Sequence, residues 1–250
     1  MWLGAAGALV LYAAPAMLQV QLGTRALSWA GVAFAAGSGV LHAVYFTTLQ
    51  RGYREGDLSV VYPLARGTGP ALSVLAAVPV LGERPGPLAL AGAALVVVAV
   101  LSLAGGGARP SRAALGFAVG TGATIALYTL WDAHAVGDLH QPEVPYFWLT
   151  TLFELAVLAP WALRDREALR ATWRREPLEI AGLAALSPLA YILVLVALTL
   201  APISVVAPGR EASIVIASLL GARVLGEGDE RRRLAAAAVI LTGIACLAAG

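Results

Sequence analysis

The sequence predicts an all-α protein, a polytopic membrane helix bundle of about nine transmembrane helices with no soluble domain. Three observations predict it. First, 59% of the 250 residues are hydrophobic and only 13% are charged, too little charge to cover a soluble domain of this length. Second, the apolar residues fall in runs close to the ~20 that a helix needs to cross a bilayer. Third, blocks of the first half of the chain reappear, in order, in the second.

Arg, Gly and Pro clusters punctuate the apolar runs. They leave Trp2 to Leu22, Ala30 to Gln50, Leu58 to Leu81, Leu88 to Ala104 and Leu115 to Val136 as the first five spans. Tyr146 to Leu163, Ile180 to Leu200, Ile203 to Leu225 and Leu234 to Ala249 follow. Hydrocarbon offers no partner to a backbone N–H or C=O, so each span pairs its own as a helix. The runs are too long for barrel strands and lack their two-residue alternation. Gly105 to Gly107 read as a linker between halves, and Arg164 to Arg175 as a loop.

The composition excludes several classes. A net charge of +2 points to no nucleic-acid partner, and all 17 basic residues are Arg. With no lysine there is no P-loop, and no G-x-S-x-G elbow occurs. His42, His134 and His140 lack the spacing of a zinc site, so neither metal nor cofactor is expected and no enzyme is read. The single Cys246 precludes a disulfide framework within the chain, and no removable signal peptide stands out.

The repeat is the most informative feature. Ser59 to Arg66, S-V-V-Y-P-L-A-R, returns as S-V-V-A-P-G-R from Ser204 to Arg210, with a one-residue gap. V-L-G-E from Val80 to Glu83 returns from Val224 to Glu227. Ala30-Gly31 matches Ala181-Gly182, and Ala14-Pro15 matches Ala159-Pro160. The repeats divide the chain at 1–107 and 108–250, with four spans in the first copy and five in the second. An odd span count inverts the second copy relative to the first, and inverted repeats are a common build of secondary transporters.

Ionisable groups inside spans are costly and therefore face a partner or a cavity. Arg66 is roughly 12 Å into its span, and Arg210 roughly 10 Å into its own, at the rise of an α-helix. Glu211 follows directly, while Glu154 and His42 lie mid-span. Tyr62, Arg66, Gly69 and Ser73 share one helical stripe, and Thr121, Ile125, Tyr128 and Asp132 share another. Each is the pattern of a helix with one face on a cavity. Plainer roles stand beside these. The arginines can pair with Glu154, Glu211 or backbone carbonyls, and Asp132 can meet water at a span end. His42 can serve as an interhelical hydrogen-bonding group, and Tyr45, Tyr191 and Trp131 as packing. Glu83 and Glu227 read as helix-turn or interface groups, and Trp148 and Trp161 as interfacial anchors.

Val60 to Pro85 and Val205 to Glu227 together resemble the fourth and ninth helices of the drug/metabolite transporter superfamily, EamA type. Y-T-L-W-D-A, Tyr128 to Ala133, is similar to a sub-group found near phosphonate-utilisation genes. The resemblance implies ten helices in two five-helix repeats, so it also implies that the chain lacks the usual first helix, with an upstream in-frame segment expected to encode it.

The function expected is secondary transport, not ATP-driven, of a small organic metabolite or drug-like solute by alternating access. Arg66, Arg210, Tyr62, His42, Tyr128 and Tyr191 are the substrate-binding candidates. Glu154, Glu211 and Asp132 are the candidates for coupling or ion pairing. Two central guanidiniums suit a carboxylate or phosphate; the acids suit a proton or an amine. The rivals are a lipid or undecaprenyl-linked flippase component and a non-transporting membrane scaffold. Expected partners are the small-molecule substrate, membrane lipid and a second copy of the chain; the expected location is the inner (plasma) membrane. The arginine-rich loops place the N-terminus inside and the C-terminus outside for nine spans, whereas the resemblance implies that both ends are cytoplasmic.

Overall fold

The computed structural model describes residues 2–22, 27–56, 58–103, 111–213 and 230–249. All regular structure among them is helical: α1 (Trp2–Leu11), α2 (Ala13–Gln21), α3 (Trp29–Glu55), α4 (Leu58–Leu81), α5 (Pro87–Leu103) and α6 (Arg112–Ala133). A π-helical turn, His134–Asp138, extends α6. Then come α7 (Glu143–Ala162), α8 (Arg166–Arg175), α9 (Pro177–Leu200), α10 (Ile203–Gly209) and α11 (Glu230–Ala249). Among the described residues six helical stretches are long and apolar enough to cross a membrane, and Pro87–Ser102 and Ala235–Leu247 are shorter apolar helices. Leu178, Leu186, Leu193 and Leu200 of α9 are largely exposed. Such a stripe is stable only against an apolar solvent, so the long helices face lipid.

Four expectations need correction or restriction. The first span breaks at Tyr12, because Pro15 has no N–H for the Leu11 carbonyl. The stretch Arg164 to Arg175 is not all loop. Asp165 accepts the Ala168 N–H at 2.8 Å, Glu167 sits in the first turn and Arg174 and Arg175 in the last, so caps and dipole both favour α8. The span expected from Ile203 to Leu225 is helical to Gly209, turns at Arg210 and Glu211 and is helical again at Ala212 and Ser213; its residues after Ser213 lie outside the described residues, as does the Val224 to Glu227 block. The linker Gly105 to Gly107 also lies outside them.

The chain forms two compact units, each drawing on both halves of the sequence: Met1–Val44 with Trp131–Leu200, and Tyr45–Leu130 with Ala201–Gly250. In the first, α1 packs on α7 and α9. Gly39 of α3 permits close packing on α7, since a β-carbon there would lie 2.8 Å from the Thr150 carbonyl oxygen. In the second unit α5 and α11 make the most extensive helix pair. Val96, Val100 and Ile240 are fully buried between them, and Val74 of α4 joins the cluster.

Glycine makes the α5–α11 pairing close. A β-carbon on Gly243 would lie 2.7 Å from the Gly92 carbonyl oxygen, whereas one on Gly116 of α6 would meet nothing. Gly243→Ala is expected to destabilise the protein by about 1–3 kcal/mol through overpacking. Gly116→Ala should be neutral or stabilising, by up to about 1 kcal/mol of helix propensity. Thermal unfolding of the two variants in detergent micelles checks the contrast.

Candidate functional site

The candidate site of the second unit begins with two prolines at equivalent places in the repeat. Pro63 and Pro208 each deprive a carbonyl four residues back of its helical donor. In α4 the helix continues through Pro63 and again through Pro70, which leaves the Arg66 carbonyl without its own donor. In α10 Gly209 follows at once, and the helix tightens into a turn. The Glu211 N–H bonds to the Pro208 carbonyl at 3.0 Å, three residues back rather than four. Arg210 is therefore on a turn, not the eighth residue of a continuous helix as its spacing suggested.

The turn carries charge to α4. Arg66 Nε donates to Glu211 Oε2 at 3.1 Å, with side-chain exposures of 19% and 3%. Arg66 Nη2 donates to Ser213 Oγ at 3.3 Å, and Ser213 Oγ donates to the Arg210 carbonyl at 3.1 Å. The Tyr62 ring centroid lies 5.9 Å from the guanidinium carbon, within cation–π range. The repeat alignment matches Arg66 to Arg210 through a gap. Counted directly from the prolines, the residue three places on is Arg66 in one copy and Glu211 in the other, and these two pair.

Arg66, Arg210 and Glu211 line one cleft with Pro70, Ser73, Ile125, Thr129 and Ala207. Its volume is about 10 Å³, room for roughly one water molecule. The hydroxyl of Ser73 is satisfied within its own helix by the Gly69 carbonyl. Thr129 is different: its Oγ1 is buried without a hydrogen-bond partner. The expected α6 stripe contributes Ile125 to this wall, but Tyr128 packs edge-on against Tyr45 at 5.8 Å instead.

Glu83 belongs to the same unit. Gly82 adopts a left-handed φ of 67°, a conformation glycine takes at little cost, and so turns the chain for Glu83. The carboxylate accepts the Ile203 N–H at 2.6 Å and the Ser204 N–H at 3.0 Å. It caps the otherwise unpaired start of α10.

The first unit holds a second cluster. Asp132, fully buried, accepts hydrogen bonds from the Tyr146 hydroxyl at 2.6 Å and the Tyr191 hydroxyl at 2.5 Å. His42 lies edge-on to Tyr191 at 5.1 Å, its Nδ1 2.9 Å from the Ser38 carbonyl oxygen. Trp131 donates to the Phe34 carbonyl at 2.8 Å. Asp132 thus does not end in water at a span end. It lies two residues before the π-helical turn, an irregularity frequent at functional sites. Glu154 is 8% exposed and has no hydrogen bond or ion pair among the described residues.

The structure thus gathers Arg66, Arg210, Tyr62 and Glu211 in one unit and His42, Tyr191 and Asp132 in the other. It leaves Tyr128 in aromatic packing and Glu154 apart. Thr129, Ser213 and Tyr146 are added. Thr129 stands four residues from Ile125 on the same ridge, a legible signal; Ser213 and Tyr146 gave none beyond their polarity.

Residues 112–249, more than half of the chain, match the model of the EamA-like transporter family. The chain belongs to that family. The family falls within the drug/metabolite transporter superfamily and is one of transporters, not enzymes. The EamA chain is accordingly an integral, multi-pass membrane protein. No match was found among curated proteins.

Tyr146→Phe removes one donor from Asp132 and leaves a buried carboxylate oxygen unsatisfied. The expected cost is about 1–3 kcal/mol, read as a lower unfolding midpoint of the detergent-solubilised protein. Tyr12→Phe, which removes a bond to the half-buried Ala185 carbonyl, should cost less.

Proposed function

We propose that the protein is a secondary transporter of a small organic anion, working by alternating access in the inner (plasma) membrane. The observation that carries this reading is the pair of arginines lining one cleft in a chain of a transporter family. A guanidinium presents planar, paired donors that match a carboxylate, phosphate or phosphonate. Thr129 supplies a hydroxyl to a remaining oxygen, and Tyr62 flanks the charge. The cleft holds roughly one water, so this conformation is closed to an organic solute and the cleft widens to admit one. A charged lining favours a hydrophilic solute over a lipid tail, against the flippase reading.

Without a P-loop, coupling falls to ions, protons or exchange. Asp132 and Glu154 are the proton-carrying candidates. Asp132 is held by the neutral hydroxyls of Tyr146 and Tyr191, and Glu154 has no hydrogen bond or ion pair among the described residues.

Proteoliposome uptake of a panel of short carboxylates and phosphonates tests the proposal and separates a transporter from a scaffold. Arg66→Gln and Arg210→Gln are each expected to abolish uptake of the transported anion while the protein stays monodisperse. Arg66→Gln also strands Glu211, a loss worth about 3–5 kcal/mol for a buried pair, so Arg66→Gln/Glu211→Gln serves as the stability-matched control. Folded single variants that transport as the wild type does would overturn the assignment.

A further inference from the structure

We infer that the Glu211 carboxylate is an internal stand-in for the anionic solute, holding Arg66 until the solute displaces it. The inference rests on the anion-transport reading above and adds to it the means by which the empty site is kept neutral. Four observations in the second unit carry it.

The first is occupancy. Glu211 bonds Arg66 as a solute carboxylate would, at 3.1 Å through Nε, with Ser213 on Nη2. The second is the mounting. Glu211 does not sit on a regular helix: the backbone turns at Arg210 and Glu211, directly after Pro208 and Gly209. There the four-residue ladder gives way to the three-residue bond from the Glu211 N–H to the Pro208 carbonyl before helix resumes at Ala212 and Ser213, so the carboxylate is carried on a local irregularity between two helical stretches. The third is the second arginine on the same wall. Once a solute anion neutralises Arg66, Arg210 is the adjacent cation for the displaced Glu211. The fourth is the Thr129 hydroxyl, 1% exposed as a residue, lining the cleft and without a partner. A buried hydroxyl left unpaired is costly, and an oxygen-rich ligand in the cleft would satisfy it. Glu211 bonds Arg66, not Thr129, so the stand-in fills only part of the ligand's role.

The displacement is a ligand exchange at Arg66 in which no covalent bond or proton changes. The Nε–H and Nη2–H donors pass from Glu211 and Ser213 to the anion, and Glu211 passes to Arg210. Glu211 then acts as a competitor tethered to the protein, and the solute's apparent affinity is reduced by the fraction of time Arg66 is held.

The test is equilibrium binding of methylphosphonate and acetate, the smallest organic anions of the two classes, to the purified full chain in detergent. Glu211→Gln is expected to bind at least one of them about tenfold more tightly than the wild type, since the competitor is removed. Glu211→Asp keeps the charge but shortens its reach, and should give a smaller gain in the same direction. It decides the matter if Glu211→Gln does not fold. Arg66→Gln should bind neither. Unchanged or weaker binding in the Glu211 variants, with binding still lost in Arg66→Gln, overturns the stand-in and leaves the anion site intact. Undiminished binding in Arg66→Gln overturns both.

Discussion

A charge in hydrocarbon must be balanced where it lies, and much of the second unit follows from that requirement. Arg66 sits on a helix whose other faces are alanine, valine and leucine. Its balance comes from Glu211, and Glu211 reaches it because α10 stops at Gly209 instead of continuing as a regular helix. Irregular backbone is tolerated at membrane depth where it lines a cavity, and here it does. The prolines that loosen the ladder, the glycine that ends it and the ion pair are therefore parts of one local solution.

In the first unit a buried carboxylate, Asp132, is held without an ion pair among the described residues. Asp132 is held by two tyrosine hydroxyls from α7 and α9, and the second of these rests against His42. The two units thus hold a buried carboxylate by different means, one with a guanidinium and the other with neutral hydroxyls.

The spans were legible because a bilayer permits few alternatives: long apolar runs must be helices, and charge and glycine mark where they stop. Arg66 and Glu211 were legible for the same reason, since an ionisable residue inside an apolar run announces itself. Their pairing was one of several allowed partners, and the repeat alignment pointed to Arg210 as the equivalent of Arg66. The one-residue gap concealed that Glu211 shares Arg66's distance from its proline. The break after Gly209 was hidden because proline and glycine are tolerated in many membrane helices. The α8 helix was hidden because its signal is capping and charge, not apolarity. Tyr146 was hidden because a tyrosine near a span end reads as an interfacial residue, and only the fold shows that it turns inward to Asp132.

Glu83 has a mechanical consequence. It grips the first two backbone amides of α10, and the turn carrying Glu211 begins at the other end of that helix. Seven helical residues make a rod about 10 Å long. The connection after α4 and the Arg66–Glu211 pair are thereby the two ends of one short lever. A shift of Glu83, two residues beyond the end of α4, would reach Glu211 as a change in its distance from Arg66 of that same α4. The helix that carries the arginine also holds the handle of the element that neutralises it.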